Sequence, residues 1–271
     1  MILGFTFFGW WPIIKGVMLS FQETNYISST WVGLDNFSTV LSDPLLAQAF
    51  QNTLYFAAVA ILIGFPVPLI LAGTISELKR TRQFASILAF LPVVIPPVVA
   101  ILLFKRFYSP SETGIINTIV GWVGLGPVEW LQNPATAMTS LVIAATWAGM
   151  GSTVIIYLAA MTMIDRELYD AAEVDGASIL GRIWHVTLPQ LRLTILIMLL
   201  LQIIGVWQVF TEPYLLTNGG GPNGASASPV LIMVQKGIDQ GNPDVASAIG
   251  VILVIGVLVI SLINRRLLER D

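Results

Sequence analysis

Apolar residues along this chain gather into six long stretches, Ile2–Phe21, Thr53–Ile75, Phe84–Phe104, Ala137–Ile164, Leu191–Phe210 and Val245–Asn264, with polar segments between them. Each stretch is close to the ~20 apolar residues an α-helix needs to cross a bilayer's hydrocarbon. The pattern therefore predicts an all-α integral membrane protein of six transmembrane helices, residues 1–271 forming a single transmembrane domain. Prolines punctuate three of the stretches: Pro12 in the first, Pro66 and Pro68 in the second, and Pro92, Pro96 and Pro97 in the third. Proline frees backbone carbonyls, which a membrane tolerates only against neighbouring helices or a watery cavity. Trp122 and Trp130, in the polar segment 105–136, are expected to anchor at a membrane interface.

One polar island stands out between the fourth and fifth stretches. From Asp165 to Arg192 it holds five acidic residues, three arginines and the only histidine, His185. Its first part predicts a short helix, with Leu168, Ala171 and Ala172 on one face at spacings of three and four. Asp165 is placed to cap its N-terminus, with Glu167 favourable in the first turn. Gly176 is suited to a left-handed cap at the other end, and Pro189 is expected to stop a second helix before the next apolar run. Adjacent small alanines let another protein approach the helix backbone closely, while the flanking carboxylates pair with its basic groups. The island has the design of a docking loop.

Composition excludes several classes of chemistry. Only 11% of residues are charged and 55% are hydrophobic, whereas soluble domains carry about 25% charged residues. Zero cysteines exclude disulfides, thiolate metal sites and cysteine nucleophiles, and a single histidine leaves little for histidine catalysis or a metal site. No HExxH, GxSxG or GxxxxGK[ST] pattern is present, so neither an intramembrane hydrolase nor an ATPase of the phosphate-loop type is encoded. A net charge of −3 without a basic stripe gives no footprint for nucleic acid. Lysine and arginine set the orientation. With six spans, one side carries Lys79, Arg80, Arg82, Arg166, Arg182, Arg192, Arg265, Arg266 and Arg270, the other Lys105, Arg106 and Lys236: nine against three. Both termini and the polar island are therefore expected in the cytoplasm.

Asp170-Ala171-Ala172, then Asp175-Gly176-Ala177, then Val186-Thr187-Leu188-Pro189 resembles the EAA loop of membrane permeases in binding-protein-dependent ABC importers. The family usually has Glu where this chain has Asp170, a swap that keeps the charge and shortens the reach. The resemblance implies that loop 165–190 carries a coupling helix that sits in a cleft of a cytoplasmic ATPase, with Tyr169, Asp170, Ala171, Ala172, Asp175, Gly176 and Ala177 making the contact. It further implies a bacterial cytoplasmic (inner) membrane location, a second permease subunit in a heterodimer, two ATPase subunits and an external solute-binding protein. No cofactor is expected in this chain, since ATP and magnesium would lie on the ATPase.

Trp31 to Phe37 with Asp43-Pro44, Leu91-Pro92 with Pro96-Pro97, Trp130-Leu131, and Leu216 to Pro222 resemble the carbohydrate-importing branch, of maltose and glycerol phosphate type. In that branch solute contacts come from the spans flanking the EAA loop, which here offer Trp147, Gly149 and Ser152, then Trp207, Gln208 and Thr211. Ala145 and Val209 stand where maltose-type relatives have asparagines, so the resemblance supports the location of a carbohydrate site and not the identity of the sugar. Plainer roles suit the same residues. Trp147 and Trp207 are equally fit to pack helices, Gly149 and Gly151 to let helices approach, and Gln208 to bond a neighbouring helix. His185 is expected to bond locally, Glu212 to face solvent or a partner loop, and Lys15 to snorkel outward. Remaining alternatives are a permease for a non-sugar solute such as glycerol phosphate or a polyamine, and a self-sufficient secondary transporter. The latter usually shows ionisable relays at mid-membrane, and beyond Lys15 the spans have none.

Overall fold

The computed structural model describes residue 4, residues 6–78 and residues 80–268, with side chains as far as Leu262. Lys79, Arg270 and the start of the first stretch at Ile2 lie outside the described residues, as do the side chains of Arg265 and Arg266. The chain is built from helices. The first, a π turn Thr6–Trp10 running into α1 (Trp11–Leu19), carries Pro12 just after the π turn, whose widened ladder takes in a residue that cannot donate. A two-stranded antiparallel hairpin follows, β1 (Gln22–Thr24) against β2 (Ser29–Trp31), with Gln22 opposite Trp31. Then come α2 (Asp35–Ser42), α3 (Pro44–Val59), a π turn Ala60–Gly64 and α4 (Pro66–Ser76).

The second expected span starts too late: the helix that ends at Ser76 begins at Pro44 and runs for 33 residues. Asp43 accepts the Leu45 N–H at 2.9 Å and Pro44 occupies the first turn, so the start is fixed by a cap and a preset φ. Its polar residues pointed to a loop, but they have partners: Asn52 donates to the Gly224 and Ala227 carbonyls at 2.7 and 3.0 Å. Pro66 does not break this helix. The π turn before it widens the ladder, Phe65 N–H reaching the Ala60 carbonyl at 2.7 Å, and takes up the mismatch.

The third expected span is two helices, α5 (Arg82–Val94) and α6 (Pro97–Phe107), bent by 95° at Ile95-Pro96. Ile95, placed before a proline, is held extended at ψ 127° and cannot continue the helix. After α7 (Ile115–Gly121) come the long α8 (Pro134–Thr162), α9 (Arg166–Val174) and α10 (Ile179–Arg182). The chain ends with α11 (Leu188–Gln190), α12 (Arg192–Trp207), α13 (Thr211–Leu215), α14 (Pro229–Val234) and α15 (Pro243–Leu268). Among the described residues, four helices are long and apolar enough to cross a membrane, or five when the bent pair is taken as one.

The chain divides into two compact units. The first, Met1–Tyr55, Leu131–Met138 and Ile204–Asp271, has a core of Val40, Leu46, Ala49, Leu231, Ile232, Ala248 and Ile249. The second, Phe56–Trp130 and Thr139–Ile203, closes on Ala72, Ile75, Val154, Tyr157, Leu158 and Leu191. Inside the second unit Trp130 is no free anchor: its indole N–H donates to Asn117 Oδ1 at 2.7 Å, and Asn117, 4% exposed, also receives the Val128 N–H at 3.0 Å. Trp122 is 79% exposed, in keeping with an interfacial position.

Candidate functional site

The polar loop 165–190 lies wholly within the second unit. Asp165, in extended backbone, accepts the Glu167 N–H at 3.1 Å and starts α9. The helix ends in a Schellman cap. Ala177 N–H reaches back to the Ala172 carbonyl at 2.9 Å, Gly176 N–H to Glu173 at 3.0 Å, and Gly176 itself sits at φ +76°. A Cβ on Gly176 would meet nothing within 4 Å, so glycine is required there by backbone conformation and not by crowding inside the chain. Ser178 then accepts the Gly181 N–H at 3.2 Å and starts α10.

A π turn, Ile183–Thr187, joins α10 to α11 and corrects the expected role of Pro189. The proline lies in the first turn after it and does not end the helical run. Leu188 N–H has already bonded five residues back to Ile183, and the widened turn takes in a residue that cannot donate. The break falls at Leu191, which is buried in the second unit's core. His185 bonds locally, Nδ1 donating to the Gly181 carbonyl at 3.0 Å.

Side chains then tie the loop's parts together. The Tyr169 and Thr187 hydroxyls are 3.0 Å apart, and Thr187, 3% exposed, donates to the Arg182 carbonyl at 3.5 Å, which leaves Tyr169 as the donor of the first bond. Arg182 Nη2 donates to Glu77 Oε2 at 2.8 Å. The Glu77 hydrogen bond and charge, with smaller help from Glu173 and Tyr169, raise the Arg182 pKa further above its ordinary value. Tyr169, Ala172 and Ala177 are half-buried, while Asp170, Ala171, Asp175 and Gly176 are exposed. Beside them Met163, Val174, Ile179, Leu180 and Trp184 are exposed at 87, 87, 53, 68 and 63%. Large apolar side chains open on a polar loop mark an interaction surface. The expected contact set omitted all five, although Val174, Ile179, Leu180 and Trp184, apolar and outside any expected span, were visible in the sequence as a signal.

The residues expected along the solute pathway divide between the units. In the second, Trp147 is half-buried, edge-on to Phe104 with centroids 5.4 Å apart, while Gly149 and Ser152 are exposed. In the first, Trp207 is half-buried and tilted against Phe50 at 6.0 Å, Gln208 is exposed, and Thr211 begins α13. Among the described residues Gln208 bonds no other helix: its Nε2 donates at 3.4 Å to the Ile204 carbonyl, one turn back in its own segment. Gly151 has the close approach expected of it, since a Cβ would lie 2.6 Å from the Ala89 carbonyl oxygen and 3.0 Å from Phe90 Cα. A polar node escaped notice. At the end of the π turn in the second span, a Cβ on Gly64 would lie 2.7 Å from Thr146 Oγ1 and 3.9 Å from Gln202 Nε2. Gln202 sits in an unbroken apolar run, where one amide is a visible signal.

Apolar helices of spanning length, joined to a capped polar loop with an open apolar rim, make the build of a membrane transport component worked by another protein. The chain belongs to the family of binding-protein-dependent transport system inner membrane components, matched over residues 64–271. It is 33% identical over 267 residues to the arabinooligosaccharides transport system permease protein AraP of Bacillus subtilis (strain 168), covering 98% of this chain and 85% of that one. It is 35% identical over 216 residues to the lactose transport system permease protein LacF of Rhizobium radiobacter, covering 78% and 72%. Its structure resembles that of a bacterial ABC transporter involved in the import of the acidic polysaccharide alginate, with a TM-score of 0.87 and 29% identity, over 99% of this chain and 92% of that one. A second structure of a bacterial alginate ABC transporter, in complex with an alginate pentasaccharide-bound periplasmic protein, matches at 0.86 and 30% over 99% and 91%. The chain is thus an inner-membrane permease component, and its work is transport rather than catalysis.

Proposed function

We propose that this chain is one of two permease subunits in an ABC importer that takes up a sugar or oligosaccharide delivered by an external binding protein. The observation that carries the reading is loop 165–190: capped at both ends of α9, tied internally by Tyr169 and Thr187, and exposing apolar side chains to no partner of its own. Arabinooligosaccharides, lactose and alginate in the names of similar proteins support a carbohydrate. The chain works as a single transmembrane domain crossing the membrane six times, the first apolar stretch 2–21 adding a span to the four long helices and the bent pair, with both termini cytoplasmic, in accord with the nine-to-three bias of lysine and arginine. Two cytoplasmic ATPase subunits bind ATP and magnesium; this chain binds neither. Closure of the ATPase pair drags α9 and shifts the population of the spans between outward- and inward-open states. Tyr169, Asp170, Ala171, Ala172, Asp175, Gly176 and Ala177 make the docking contact, with Val174, Ile179, Leu180 and Trp184 around it. Trp147, Gly149, Ser152, Trp207, Gln208 and Thr211 contact the solute. Uptake by the reconstituted complex, assayed with a panel of labelled oligosaccharides beside glycerol phosphate and a polyamine, tests the reading: ATP-dependent uptake of a saccharide is expected, and uptake of a non-sugar alone would overturn it.

A further inference from the structure

The second span ends in a carboxylate that the transport reading leaves without a role. Glu77 is the first residue beyond α4, where a negative charge opposes the helix dipole. Lys79, Arg80 and Arg82 follow within five residues, yet the carboxylate meets a guanidinium 105 residues further along the chain. Glu77 and Arg182 lie 2.8 Å apart, with side chains only 24% and 17% exposed. Arg182 closes α10, where a positive charge is favoured. One turn before Glu77, on the same face of α4, Ile183 passes nearby, its Cδ1 3.9 Å from where a Cβ on Gly73 would stand. The loop is thus seated on the end of the second span by the ion pair, with Ile183 alongside. From Arg182 the connection continues through its carbonyl to Thr187 and through Thr187 to Tyr169 on α9.

We propose that Glu77 and Arg182 form a strut that carries movement of α9 into the second span, so that three spans answer to the ATPase instead of the two joined to the loop by the chain itself. The inference rests on the importer reading. Glu77 and Arg182 are positioning residues: they touch neither solute nor nucleotide. Covalent continuity links α9 to α8 and α12, whereas the second span is linked to it in this region by side chains alone.

The absence of cysteine makes a direct test available. In the assembled complex in lipid nanodiscs, spin labels at Ile70→Cys on α4 and at the exposed His185→Cys in the π turn Ile183–Thr187 report whether the two segments travel together. With the strut intact, the distance distribution stays single-peaked and unmoved between the nucleotide-free state and the state trapped with ATP and vanadate. With Glu77→Gln, the trapped state is expected to shift by about 2 Å or more, or to broaden, while ATPase co-purification is retained. The double variant Glu77→Arg/Arg182→Glu is expected to restore the single distance, which a change in general stability would not do. A Glu77→Gln distribution identical to that of the unaltered pair in both states overturns the strut and leaves the importer reading standing. Failure of the ATPase to co-purify with the unaltered chain overturns both.

Discussion

Two polar loops bracket the fifth span, one in each compact unit, and they keep their shapes by different means. Loop 165–190 is held mostly by side chains near the surface: Asp165 and Ser178 as caps, the Tyr169–Thr187 pair and the Arg182–Glu77 ion pair, with α9 itself left open. Loop 216–228 combines buried side-chain bonds with a run of left-handed backbone. Asn218, Gly219, Gly220, Gly221, Asn223 and Gly224 all have positive φ, the Ser226 N–H reaches the Gly220 carbonyl at 2.8 Å, and Thr217 and Ser226, 6% and 1% exposed, bond each other at 2.7 Å. Exposed side-chain ties can be remade as a loop moves, whereas a left-handed run restricts which residues can stand in it, and here the buried Thr217–Ser226 pair and Asn52 fasten that run to the first unit. On the importer proposal the first loop is the one gripped and moved, and the second is the one that holds its form.

Breaking the second loop should therefore cost the most. Gly220, at φ +113°, would place a Cβ 3.1 Å from Ala227 Cβ and 3.4 Å from Leu231 Cδ2, inside the first unit's core. Gly220→Val adds crowding to a forbidden conformation and should cost about 2–4 kcal/mol, read as a lowered thermal unfolding midpoint in detergent. An unchanged midpoint would show that this loop is not rigid in the sense argued.

Next in size is a contrast between the two tryptophans. Trp207 packs against the first unit's core and against Phe50, so Trp207→Ala should lower stability by about 3 kcal/mol as well as uptake. Trp147 has one aromatic neighbour edge-on, and Trp147→Ala should act mainly on uptake, by about 5- to 150-fold in affinity if a stacking contact to a sugar is lost. Equal loss of stability in both would make Trp147 a packing residue.

Smaller effects separate the bonding schemes further. Thr217→Val strands the buried Ser226 hydroxyl and should cost about 1–2 kcal/mol by chemical denaturation; no loss would mean the backbone alone fixes the loop. Smallest is the Asp43–Lys236 ion pair at 3.1 Å in the first unit. Burial pushes the Asp43 carboxyl up, but the Lys236 hydrogen bond and charge and the Leu45 and Leu46 N–H groups outweigh it, and the pKa ends below the model-peptide value of 3.8. A carboxyl depressed on folding contributes stability that is full above its unfolded pKa and is lost as pH falls through the folded one. Lys236→Met should thus cost up to about 1 kcal/mol at neutral pH, a cost that shrinks as pH falls through the depressed pKa of folded Asp43 and vanishes once the carboxyl is protonated. A cost that persists in acid would locate the effect elsewhere.

Local order was legible in the sequence because it depends on neighbours. The cap at Asp165, the left-handed Gly176 and the apolar cores of the spans all follow from residues within a few positions of one another. What could not be read depends on partners far along the chain. The second span's early start hides behind Gln48 and Asn52, whose amides look exposed until Asn223, Gly224 and Ala227 supply carbonyls some 175 residues away. The prolines of the third span marked a break but gave no angle, which the structure puts at 95°. Nothing near Trp130 announces that Asn117 receives its N–H, and nothing near Glu77 announces Arg182, 105 residues away.

The central claim is that the open loop docks an ATPase, and co-purification tests it most directly. Gly176 has no crowding around it, so Gly176→Leu should cost the chain about 1 kcal/mol of backbone strain and leave the membrane bundle folded. Asp170, exposed on α9, can be reversed to lysine without touching a core. Both variants should insert and keep their permease partner while losing the ATPase on affinity purification and the coupling of hydrolysis to uptake. Retention of the ATPase at unaltered levels in both, with coupling intact, would contradict the account.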